Sequence, residues 1–174
     1  MLISMDHGNK QCKLVRSEPF ISGLSESEVR PFGPDVLKYG DKYYQISDQR
    51  IPYRRDKTED DRFFILTLFG IANEIEAASA YAPGIIRVQL AVGLPPAHYG
   101  AQNAKFIQYF SGRGVVSFFY RDKPYSILID DVACYPQSYA AAASMLQTLT
   151  TVPLALVVDI GGYTMDYIRI KRGR

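Results

Sequence analysis

The residues best placed to do chemistry in this chain are two aspartates, each closing an apolar run and each followed at one remove by glycine. They are Asp6 in "MLISMDHGNKQCKL" and Asp159 in "PLALVVDIGGYTMDYI". A glycine turn presents backbone N–H groups with no Cβ in the way, and such amides make a nest for phosphate oxygens. Gly8, Gly161 and Gly162 suit that task. Phosphates are accompanied by Mg²⁺, a hard cation that keeps several waters and takes one or two carboxylates. Asp6 and Asp159 suit that one. Seven residues past each aspartate stands a charged side chain in the return strand, Lys13 in the first case and Asp166 in the second. A lysine there is suited to neutralise β- and γ-phosphate charge. Taken singly, each Asp-x-Gly is equally an ordinary turn, because Asp and Gly are common turn formers. The specific feature is the repetition near both ends of the chain.

These residues need elements to hold them. "MLISM" and "CKLV" read as strands around the turn Asp6-His7-Gly8-Asn9. "EPFISGL" is a third extended piece, and "FGPDVLKYGDKYYQISDQRIPY", rich in aromatics, Gly and Pro, reads as an inserted β-rich subdomain of short strands. Thr58-Glu59-Asp60-Asp61 carries a capping-box pattern, so a helix is expected to begin near Asp60. Within 63–79, Phe64, Leu68, Ile71 and Ile75 fall on one helical face. "IIRVQLAVGLP" reads as a parallel strand with a crossover, followed by a helical "AQNAKFIQYFSG". Arg121-Asp122-Lys123-Pro124 then turns between two β-rich runs, "SYAAAASMLQTL" is helix-prone, and "PLALVVDIGGYTMDYIRI" closes as strand, turn and strand.

Composition narrows the classes. The chain has 174 residues, 47% of them hydrophobic and 22% charged, with mean hydropathy −0.10, values of a soluble globular domain. A formal charge of +2 is far below the basic surplus of a domain living on nucleic acid, so direct nucleic-acid binding is not expected. No apolar run reaches membrane-spanning length, and the amino terminus lacks the basic region of a signal or transit peptide, so a cytoplasmic location is expected. Cys12 and Cys134 lack metal or disulfide spacing and read as buried small hydrophobes, and His7 and His98 are too scattered for a metal cluster.

The two hairpins resemble the phosphate-1 and phosphate-2 loops of the actin-like ATPases. "RIPYRRDKTEDDRFFILTLFGIANEIE" and "VACYPQSYAAAASM" are similar to ParM, the plasmid-segregation actins of bacteria, and the resemblance covers essentially the whole chain. It implies an α/β fold of ribonuclease H-like type, the first domain of an actin-like ATPase, with a mixed sheet flanked by helices and a small inserted β-rich subdomain. It further implies domain I over 1–152, with 31–60 as the approximate insertion, and the first hairpin of a truncated domain II over 153–174. The implied activity is ATP (or GTP) hydrolysis with Mg²⁺, coupled to polymerisation into filaments that segregate plasmid DNA through a DNA-binding adapter at a centromere-like site.

Carried over residue by residue, the resemblance places Asp6, Gly8, Asn9 and Lys13 on the phosphate-1 loop. It places Asp159, Gly161, Gly162 and Thr164 on the phosphate-2 loop. Asp6 and Asp159 fall where Mg²⁺ is held through water, and Gln137 where the family keeps a residue that positions the attacking water together with Asp159. His7 and Lys10 fall on variable positions. Because most of the family's adenosine contacts come from further along the chain, these 174 residues are expected not to hydrolyse nucleotide alone, and the closing hairpin's unpaired edges to favour an edge-paired dimer.

Two other readings stay open. A metal-dependent nuclease of the ribonuclease H fold would use Asp6 with Glu74 or Glu76. A non-catalytic interaction module would use Tyr39, Tyr43, Tyr44 and Tyr53, which read equally well as the small subdomain's core. "RRDKTEDDR" reads as a solvated mixed-charge face or as a filament contact.

Overall fold

Alternation sets the first strand: β1 (Leu2–His7) buries Ile3, Met5 and His7 and turns Leu2, Ser4 and Asp6 away, the period of two that puts successive side chains on opposite faces. In this computed structural model, which describes residues 1–143, 145–161 and 165–171, β1 turns back into β2 (Gln11–Lys13). It also pairs in parallel with β7 (Ile85–Leu94). Gly162 and Thr164 lie outside the described residues.

The remaining strands are β3 (Phe20–Ile21), β4 (Gly23–Ser27), β5 (Leu37–Tyr39), β6 (Lys42–Arg50), β8 (Val115–Tyr120) and β9 (Lys123–Pro136). Together they make a nine-stranded mixed sheet in the order β3-β2-β1-β7-β9-β8-β5-β6-β4. Its centre is parallel, since β7 also runs parallel to β9. The β-rich stretch around 31–60 supplies β5 and β6, and β5 joins the sheet beside β8 through Leu37↔Tyr120 and Lys38↔Phe119. Tyr44 is buried and Tyr39 stacks edge-on against Phe64, whereas Tyr53 is exposed. The tyrosines of this stretch are therefore mainly packing residues.

Strand β9 carries the doubled Asp130-Asp131. Its register with β7 slips there, from Val88↔Ile129 to Gln89↔Asp131. One extra residue moves the buried set from Tyr125, Ile127 and Ile129 to Val132 and Cys134, the rephasing a bulge produces. Arg87 Nε donates to the displaced Asp130 at 2.8 Å. Between β8 and β9 the turn is made by Arg121 and Asp122, with φ of 52° and 59°. These are the left-handed dihedrals that a two-residue hairpin turn requires, taken here without glycine.

Helix α1 (Arg62–Ala77) lies under β1 and is buried almost all round from Phe63 to Ala72. Gly70 permits this approach: a Cβ there would stand 2.8 Å from Met5 Sδ. The helix starts within two residues of the expected position, but the capping box does not form. Asp60 instead accepts from the Arg62 amide and guanidinium, and the Thr58 hydroxyl donates to Asp56 at 2.6 Å. Helix α2 (Pro96–Ser111) opens with proline at its first position, where no amide partner is needed. It packs on α1, with the Tyr109 hydroxyl accepting from the Phe64 amide. The alanine-rich segment forms two short helices, α3 (Gln137–Ala143) and α4 (Leu146–Leu149). Strands β10 (Leu154–Ile160) and β11 (Met165–Lys171) pair with each other as a separate two-stranded sheet. Among the described residues no helix is long and apolar enough to cross a membrane.

Candidate functional site

The spacing of seven residues is a pairing register. Asp6 stands directly opposite Lys13 in the first hairpin, and Asp159 directly opposite Asp166 in the last. The first turn is tight, since a Cβ on Gly8 would lie 2.7 Å from the Gln11 carbonyl oxygen. The Ser22 hydroxyl, donating to the Gly8 carbonyl at 2.5 Å, ties that turn to the neighbouring strand.

Both hairpins open onto one cleft of about 500 Å³, lined by Asp6, Gly8, Asn9, Lys13, Gln137, Asp159 and Gly161 among others. Every described residue expected from the sequence to form the site is therefore in one place, although more than 130 residues separate the two turns. A second, more apolar cavity of about 350 Å³ continues it between Ser4, Ala91 and Gly93 of the sheet and Ala140 and Val157.

Asp6 is the electrostatic centre. Gln137 Nε2 donates to its Oδ1 at 2.5 Å, and Lys13 Nζ lies 4.0 Å from its Oδ2. Burial raises the Asp6 carboxyl above its usual range, and the nearby Asp159 charge adds to this. Lys57, Lys13 and the Gln137 hydrogen bond pull the other way without cancelling it. Gln137 reaches Asp6 because β7 has a glycine in its path: a Cβ on Gly93 would fall 2.7 Å from Gln137 Cγ.

His7 anchors the floor of the site. Thr67 spends its hydroxyl hydrogen on the Phe63 carbonyl at 2.8 Å, so His7 Nε2 must be the donor in the 2.7 Å contact with Thr67 Oγ1. The other ring nitrogen, Nδ1, is buried with no partner among the described residues, inside a cage of Phe63, Phe106 and Phe110. Burial, with a smaller contribution from the Lys57 charge, pushes the ring down to about 3. His7 is thus neutral and structural.

Lys57 is the site residue the sequence did not reveal. It sits inside the mixed-charge run "RRDKTEDDR", read above as a solvated face, yet it is only 6% exposed. Its Nζ donates to the His7 main-chain oxygen and lies 5.3 Å from the Phe63 ring centroid. It lines the same cleft. Burial lowers its ammonium, opposed by the charge of Asp6. The solvated reading is corrected for this one residue: Arg55 and Glu59 are exposed, as expected.

The nuclease reading finds no support. Glu74 is fully buried and accepts from the Arg16 and Ser17 amides, and Glu76 is held by Arg121, Lys123 and the Tyr125 hydroxyl. Neither lines the cleft. Among the described residues, no group of three or more His, Cys, Asp or Glu is placed to cage a metal ion. Asp6 and Asp159 on either side of a cleft that also carries Lys10, Lys13, Arg50 and Lys57 fit a different arrangement, a hydrated Mg²⁺ held with polyphosphate.

Residues 4–139 match the family model described as the N-terminal domain of actin-like proteins. The chain belongs to the actin-like proteins. No curated protein matches it, but solved actin-like structures do. Apo ParM of pSK41 gives a TM-score of 0.75 at 15% identity, covering 99% of this chain and 62% of that one. The archaeal actin homologue Ta0583 in complex with ADP gives 0.74 at 13% identity, covering 99% and 56%. The AlfA filament bound to AMPPNP gives 0.69 at 12% identity, covering 99% and 66%. At these identities the likeness is one of fold. This actin-like chain thus spans less than two thirds of the length of each of these structures.

Proposed function

We propose that this actin-like chain supplies the phosphate-binding part of a nucleotide-dependent, filament-forming ATPase. The observation that carries the reading is the convergence of both Asp-x-Gly hairpins on one cleft, with Gln137 already bonded to Asp6. The amides of Gly8, Asn9, Gly161 and Gly162 cradle phosphate oxygens, joined by the Thr164 hydroxyl, and Lys13 neutralises their charge. Asp6 and Asp159 hold Mg²⁺ through its water ligands. The bound ATP or GTP with Mg²⁺ supplies the labile phosphoanhydride. Gln137 and Asp159 orient the water that attacks it, so catalysis here is positioning and electrostatics. The domain division is proposed as domain I over 1–152, with 31–60 inserted, and the start of domain II over 153–174.

The filament reading draws on the AlfA relative, whose structure is a filament. Plasmid segregation through a DNA-binding adapter, in a bacterial cytoplasm, is proposed in keeping with a net charge of only +2, too low for direct contact with nucleic acid.

A second reading, an interaction module that self-associates without catalysis, is favoured by one observation. Along β10, Leu154, Leu156, Val158 and Ile160 are all exposed, and opposite them Met165 and Tyr167 are exposed too. With the two strands forming a sheet of their own, this surface suits pairing with a second copy.

Sedimentation separates the two readings. Growth of large species with Mg²⁺–ATP or Mg²⁺–GTP, absent without nucleotide, supports the ATPase filament. A small oligomer of constant size, whatever nucleotide is added, supports the module instead.

A further inference from the structure

Lys57 plays no part in the chemistry just described, and its surroundings leave it unfinished. It is the only buried lysine among the described residues. Its single hydrogen bond among those residues goes to the His7 main-chain oxygen, which occupies one of three ammonium donors. Among the described residues no carboxylate comes within 4.0 Å of Nζ, whereas the exposed Lys13 does reach Asp6 at that distance. A buried cation without a close counter-charge is costly unless an anion completes it. The lysine lines the cleft, and Asp6 is the anionic group acting on it most strongly.

We propose that Lys57 is a second phosphate-contacting residue, its ammonium bonding the terminal phosphate of a nucleoside triphosphate from the buried side of the β1–β2 turn. The inference rests on the nucleotide reading above and deepens it. The Asp6–Gln137 pair is assigned there to the metal and the attacking water, and the phosphate next to that water is the terminal one. Lys57 shares that end of the cleft. Lys13 serves the phosphates from the exposed return strand. Lys57 would therefore distinguish a triphosphate from a diphosphate.

The test is calorimetric titration of Mg²⁺–ATP and Mg²⁺–ADP into the wild-type chain, Lys57→Met and Lys57→Arg. Loss of a charge-assisted bond predicts about tenfold or greater weakening of ATP binding in Lys57→Met. ADP binding should change by less than about threefold, and Lys57→Arg should restore most of the ATP preference. A purely structural lysine would weaken both ligands alike, and an unchanged ATP-to-ADP ratio in Lys57→Met overturns the proposal. If Lys57→Met does not fold, the wild-type protein decides: the Lys57 ammonium resonance, expected to exchange slowly because the residue is buried, must shift with Mg²⁺–ATP and much less with Mg²⁺–ADP. No shift with ATP, in a protein that binds it, overturns the inference alone. Failure of the wild-type chain to bind either nucleotide overturns the nucleotide reading and this inference with it.

Discussion

His7 shows how one residue can fix the local protonation state. Its Nε2–H is committed to Thr67, and its Nδ1 sits among aromatic rings with no hydrogen-bond partner among the described residues, so none of those residues accepts a second ring proton. The folded ring titrates at about 3, against roughly 6.5 when unfolded. Between those values the unfolded chain binds a proton that the folded chain refuses, so stability falls as pH falls through this window. The slope attributable to His7 is about 1.4 kcal/mol per pH unit. Urea unfolding at pH 7, 6 and 5 in Mg²⁺-free buffer should show this loss, and His7→Asn should flatten it while lowering stability overall. An equal slope in both proteins would contradict the assignment. Legibility at this scale was uneven. Asp6, Gly8, Lys13, Asp159 and Gly161 could be found because strand alternation and turn chemistry are local. Lys57 could not, because its burial depends on a contact with His7 made 50 positions away, inside a run whose composition signals solvent.

Elements act on the site through close approach. Strand β7 and helix α3 meet where Gly93 leaves room for the Gln137 side chain, and the bulge in β9 sets the phase in which that strand delivers Gln137 to the start of α3. A Gly93→Ala substitution puts a methyl into the space of Gln137 Cγ and must displace the amide from Asp6. If Gln137 positions the attacking water, Gly93→Ala should lower the rate of hydrolysis about tenfold or more with little change in nucleotide affinity, measured in a protein that carries the second domain as well as this chain. Single-turnover phosphate release and a binding titration measure the two effects separately. Equal loss of affinity and rate would show that Gly93 shapes the cleft as a whole. The main strands and α1 were readable from periodicity, whereas α2 was expected over 101–112 and begins at Pro96, because the proline read as a breaker fits the first helical position. The start of α1 was placed within two residues by a capping pattern that the folded chain does not use, because Asp60 binds Arg62 in its place. The pairing of β5 with β8 left no trace in the sequence. It is a long-range contact of two register pairs, with no local periodicity to announce it.

At the scale of the molecule, the nine-stranded sheet holds its first strand and its parallel centre so that β1, β7 and the β9–α3 junction all end at the cleft. The β10–β11 hairpin closes it with Asp159 and Gly161, while its outer apolar face stays exposed. In the proposed function both turns serve one ligand. Backbone amide NMR tests that directly in a chain of 19.6 kDa. On titration with Mg²⁺–ATP, the amides of Gly8 and Asn9 in the first turn and of Gly161 in the second should shift together along a single binding isotherm. Shifts confined to one hairpin, or two hairpins following different dissociation constants, would contradict the account.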